Sequence, residues 1–192
     1  AESGTPHINI WLLEREFNVW VKEQGLGHLL NEITDKCPAY GSHVIRKGQE
    51  GKWKSVPIRK LYVDPSVESL DKSPYVIIEH IFNEHTLRQQ KGWENVEELI
   101  TKSKDKNQIK VWEYYYFKDG NRYMSILGGE EEMHLVEPLS ISKLPLREFH
   151  WKRVDGRWLG RGEVEKNIDP QIRINELANI KAKGLYWSSL KL

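Results

Sequence analysis

The chain has 192 residues, with 29 Lys and Arg against 28 Asp and Glu, so its formal net charge is +1 and no global field draws it to nucleic acid or an anionic membrane. Any polyanion contact must therefore be local. A hydrophobic fraction of 39%, with eight Trp and eight Tyr, excludes wholesale disorder and suits one good-sized domain, alone or with an appended element.

The first residues, Ala1 to Pro6, lack the basic and apolar regions of a secretory signal. Ile10, Leu13, Phe17, Trp20 and Val21 then recur at three- and four-residue spacings, which predicts an amphipathic helix. Gly25 and Gly27 punctuate it, and Leu26, Leu29, Leu30 and Ile33 resume the pattern until Cys37-Pro38 and Gly41, giving a bent helix or a helix pair. Cys37 is the single cysteine; this rules out an internal disulfide and a thiolate zinc cage, fits a reducing compartment, and reads as a half-buried small residue near a helix end.

From Ser42 to Val63 the period changes to short runs broken by Gly48, Gly51 and Pro57, which predict strands. Asp64-Pro65-Ser66 and Asp71-Lys72-Ser73-Pro74 carry turn chemistry. Tyr75 to Phe82 reads as a buried strand, Asn83 as a helix cap, and Val96, Leu99 and Ile100 as a second short helix. Residues 102–107 are strongly solvated, and Ile109 to Phe117 is aromatic and β-branched, as strands prefer. Asp119-Gly120 marks a hairpin turn, Arg122 to Leu127 its return strand, Met133 to Pro138 an edge strand, and Leu146 to Val154 a last strand. Asp169-Pro170 predicts the start of a final helix whose apolar residues cover more than one face. Leu190-Lys191-Leu192 offers no stop signal, so this helix is expected to be unfinished. The expected fold is α+β: N-terminal helices, a mainly antiparallel sheet with short helices, and a long C-terminal helix.

No catalytic constellation emerges. Glu130, Glu131 and Glu132 read as a solvated loop, and His80 and His85 lack the spacing of a helical zinc pair. Serine never occurs in a Gly-x-Ser-x-Gly elbow. The expectation is a non-enzyme with no cofactor and no metal site. Gly160-Arg161-Gly162 could bring backbone N–H groups to a phosphate, but it lacks the Lys-Ser/Thr of a phosphate loop and reads better as a tight structural turn. Beyond it Arg173, Lys181, Lys183 and Lys191 stand against the single acid Glu176, a local excess that could face a polyanion and is more often simply solvated.

The run His150 to Gly162, followed by Asp169-Pro-Gln-Ile-Arg-Ile-Asn-Glu-Leu-Ala-Asn179 and Lys183-Gly184, resembles tailed-bacteriophage portal proteins, the head-tail connectors. In that family a Gly-Arg-Gly-like turn leads into a long helix bearing a Gln and then Asn-x-x-x-Asn; here these are Gly160, Arg161, Gly162, Gln171, Asn175 and Asn179. A looser likeness covers residues 13–125, through Tyr40-Gly41-Ser42, the Val-Pro-Ile-Arg-x-Leu-x-x-Asp-Pro segment from Val56 to Pro65, and Ser73-Pro74-Tyr75-Val76.

The resemblance implies a wing-like α+β domain over 1–160 and the beginning of a stem-like helix over 161–192. It also implies a homo-oligomeric ring of about twelve subunits in the virion, assembled in the host cytoplasm, through which double-stranded DNA is packaged and ejected. Capsid, terminase and neck proteins would be partners through parts absent here, with no membrane involved. Ile174, Leu177, Asn175, Asn179, Leu185 and Trp187 would pack between subunits, and Arg173, Lys181 and Lys183 would face DNA. The alternative is a nucleic-acid-binding module using this basic helix, with Tyr114 and Tyr116 stacking on bases. A third reading, a metal-dependent nuclease using Glu97, Glu98 or Glu113, has least support.

Overall fold

The computed structural model describes residues 7–48, 51–130 and 132–190. The fold is α+β, with helices at both ends of the chain and antiparallel sheets between them. Two helices come first, α1 (His7–Glu23) and α2 (Leu26–Tyr40). They are a pair rather than one bent helix, because Gly25 takes φ 63°, a left-handed conformation that glycine adopts without a Cβ penalty. Pro38 sits inside the last turn of α2, and the helix ends one residue before Gly41, whose N–H closes on Cys37 O at φ 83°.

A three-stranded sheet, ordered β2-β1-β8, joins β1 (Ser42–Lys47), β2 (Trp53–Val56) and β8 (Leu146–His150). A five-stranded sheet, ordered β3-β4-β5-β6-β7, joins β3 (Leu61–Val63), β4 (Tyr75–Phe82), β5 (Ile109–Lys118), β6 (Asn121–Gly128) and β7 (Met133–Ile141). Two short helices, α3 (Glu84–Arg88) and α4 (Val96–Lys102), lie between β4 and β5. Asn83 caps α3 by accepting Thr86 N–H at 2.7 Å, and Asp119 and Gly120 both take positive φ in the β5–β6 turn, as two-residue hairpin loops require. The expected last strand is shorter than the Leu146–Val154 span, because the chain leaves β8 after His150 and Trp151 N–H bonds back to Gly41 O at 2.9 Å.

Two apolar clusters lie against the five-stranded sheet. Val44, Val56, Leu61, Val76, Ile78, Tyr115 and Leu146 join it to the smaller sheet, while Leu87, Leu99, Ile100, Ile109, Val111 and Ile126 join it to α3 and α4. Helix α2 covers the other side of the smaller sheet, where His43 and Cys37 are buried. Cys37 is thus more enclosed than half-buried, and burial pushes its thiol above its ordinary value.

The last helix, α5 (Glu163–Ser189), starts six residues earlier than the Asp169-Pro170 signature predicts. Its start is fixed by tertiary partners instead. Trp151 Nε1–H and Lys166 Nζ donate to Glu163, at 2.7 and 2.6 Å, and Arg157 donates to Glu165 at 2.9 Å. Pro170 is therefore an internal residue of the helix.

Candidate assembly helix and its anchorage

The Gly-Arg-Gly turn is built into the protein's own backbone. A Cβ at Gly41 would fall 2.0 Å from Gly160 O, one at Gly160 2.3 Å from Gly41 O, and one at Gly162 2.7 Å from both Pro38 O and Ala39 O. Three glycines thus let the end of α2 touch the start of α5, closer than any side chain allows. Ser42 Oγ accepts the Gly160 N–H at 2.7 Å, which leaves its own proton for His150 Nδ1 at 2.8 Å. Arg161 N–H bonds to Lys152 O at 2.7 Å. The carbonyl end of α2 so meets the amide end of α5, an arrangement that the opposed helix dipoles favour.

Past this anchor α5 stands out in solvent. Every residue from Asn167 to Leu190 is exposed, including Ile174 (59%), Leu177 (66%), Leu185 (62%) and Trp187 (65%). At 3.6 residues per turn Ile174, Leu177 and Leu185 share one side, within about 80° of one another. Trp187 stands about 140–160° from Ile174 and Leu185, and Asn175 and Asn179 occupy a third side, about 40° apart. The apolar load is spread around the helix. Gln171 Nε2 donates to Asn175 Oδ1 at 3.0 Å along the helix surface. The cations do not gather: Arg173, Lys181 and Lys183 span about 160° of the circumference and cannot all face one strand of DNA from a straight helix. Helix α1 is similarly bare, since the amphipathic face carrying Leu13, Phe17 and Trp20 is exposed rather than buried.

The carboxylates weighed as nuclease ligands do not converge. Glu97 pairs with Arg88 at 2.9 Å, Glu98 pairs with Lys102 at 2.9 Å, and Glu113 lies on another element. Among the described residues no group of three or more His, Cys, Asp and Glu side chains could hold a metal. His85 Nε2 meets Gln89 Nε2 at 3.0 Å on α3 and its flank. The Glu130 and Glu132 pair flanks a turn, with Glu130 3.8 Å from Lys104 in full solvent; Glu131 lies outside the described residues.

Glu113 has a different role. It is 2% exposed at the seam between the two apolar clusters, and its carboxylate accepts from Arg46 Nη1 at 2.8 Å, His80 Nε2 at 3.0 Å and the Tyr115 hydroxyl. Burial and the neighbouring Glu113 charge push the Tyr115 phenol far up, so it remains a donor. This network joins β1, β4 and β5, and nothing in the linear sequence announced it. The one available signal was Arg46 itself, a charge at the inward position that follows Val44 by two in a strand.

No protein-family model matches the chain, and no curated protein matches it.

Proposed function

We propose that the chain is a structural subunit of a tailed-phage portal ring, the wing-like domain plus the beginning of the stem-like helix, that lines the channel for DNA entering and leaving the capsid. The observation that carries this reading is the bare length of α5: a helix with Ile, Leu, Tyr and Trp on every side, anchored at one end by a glycine-tight junction. A monomer gains nothing from such a helix in water, where isolated helices are marginal and exposed apolar patches of this extent mark interaction surfaces. Contact on several sides is what a subunit between two neighbours in a ring requires. Each large apolar side chain buried there contributes about 1.5–3 kcal/mol. Capsid, packaging-motor and neck proteins are the partners this role implies, and the virion its place.

The nucleic-acid module has less support, because Arg173, Lys181 and Lys183 diverge around α5 and Tyr114 and Tyr116 stack on each other at 4.8 Å. Native mass measurement on the chain, and on any longer product of the same reading frame, tests the proposal. Closed rings of one size are expected; a monomer in both cases that binds DNA with a steep salt dependence contradicts it.

A further inference from the structure

A concave site opens beside the Arg46–Glu113–His80 network. Its cavity of about 350 Å³ is lined by Lys52 and Lys54 as well as Phe82, Trp93 and Ile126. The charge there is unbalanced. Arg46 and Lys54 are direct cross-strand partners in the β1–β2 ladder, an arrangement of like charges that destabilises a sheet. Among the described residues Glu113 is the only acid lining the cavity, and it is already engaged by Arg46, His80 and Tyr115. Among the described residues neither Lys52 nor Lys54 has an ion pair, and Arg46 Nε is buried without an acceptor. Among the described lining residues Arg46, Lys52 and Lys54 thus stand against Glu113 alone, so the site carries an excess of positive charge.

A second cavity, of about 280 Å³ between α4 and the β6–β7 turn, shows the contrast. Its bases Lys102, Lys104 and Lys110 already meet Glu98, Glu130 and Glu79, at 2.9, 3.8 and 3.9 Å. It has no such excess.

We infer that the Arg46 cavity is a binding site for a small phosphate monoester carrying a flat ring, the mononucleotide class. The phosphate meets the Arg46 guanidinium and the two lysines, all of which line the cavity, and charge-assisted bonds of this kind are the strong ones. The ring lies against Phe82 and Trp93, whose own rings meet edge to face at 5.7 Å and so form an apolar wall. The cavity volume falls in the lower part of the range of small-ligand sites. Nothing in this inference depends on α5 or on ring assembly.

Isothermal titration of the chain with adenosine monophosphate, inorganic phosphate and adenosine tests it. Saturable binding of the nucleotide is expected, at least tenfold tighter than inorganic phosphate, with adenosine unbound. Lys52→Gln with Lys54→Gln should weaken nucleotide binding at least tenfold, and Trp93→Ala should remove the advantage over inorganic phosphate. Both variants are to be checked for an unchanged circular dichroism spectrum; Trp93→Leu, which keeps an apolar side chain and removes the ring, serves as the second variant if Trp93→Ala unfolds. No saturable nucleotide binding, or binding indifferent to both lysines, overturns the inference, as does equal affinity for nucleotide and inorganic phosphate.

Discussion

The two ends of α5 are made of similar residues and live in opposite circumstances. At its start, Gly162 is pressed against Pro38 O and Ala39 O, and Glu163 and Glu165 are held by Trp151, Lys166 and Arg157. Toward its end, Gly184 has nothing within 4 Å and Leu177, Leu185 and Trp187 stand in solvent. A helix that is rigidly aimed and then left uncovered is a presented element. The buried seam at Glu113 makes the same point from the other direction, because its carboxylate is met by three donors even where burial costs desolvation, while the helix's apolar groups stand exposed.

The seam sets the largest expected effect. Glu113→Ala takes a buried acceptor away from Arg46, His80 and the Tyr115 hydroxyl and should cost about 3–5 kcal/mol, read as the urea midpoint shift. Gly41→Ala should cost about 3 kcal/mol, since it combines a left-handed φ of 83° with a Cβ 2.0 Å from Gly160 O; in a chain of this size that lowers Tm by roughly 6–12 °C. Gly184→Ala is the same chemical change at the other end of α5, where there is open space. It should raise helicity and stabilise the helix by about 0.5–1 kcal/mol, read from circular dichroism at 222 nm. Equal signs for the two glycine variants would break the comparison.

A smaller effect concerns pH. His43 is 1% exposed, with Ser55 Oγ 3.1 Å from its Nε2; burial chiefly, and Lys36 next, hold its imidazole below the ordinary 6.5. The unfolded chain therefore binds a proton first as pH falls. Stability from the neutral His43 is fully present above about pH 6.5 and is lost as pH falls from there through the lower folded value. His43→Gln, which keeps a bond to Ser55 within reach, should flatten this part of the stability profile in equilibrium unfolding.

Local chemistry was legible in the sequence and long-range packing was not. The Asn83 cap, the Asp119-Gly120 hairpin, the Tyr75–Phe82 strand and the all-round apolar pattern of the last helix follow from residue type and spacing alone. The start of α5 did not, because Asp169-Pro170 is a strong local start signal, whereas the real start lies where Trp151 holds Glu163 and α2 approaches Gly162. Glu113 read as one of three candidate acids, with Glu97 and Glu98, until β5 placed it beside Arg46, which precedes it by 67 positions. The period of α1 reports which side is apolar, and only the fold reports that this side is exposed.

The central claim is that the far half of α5 is an assembly surface. Sedimentation velocity over a concentration series, comparing the native chain with Leu177→Asp combined with Leu185→Asp, tests it most directly. The account predicts association that grows with concentration in the native chain and vanishes in the variant, with no change in the stability of the α+β body. A native chain that stays monomeric at every concentration, with behaviour indistinguishable from the variant's, would contradict it.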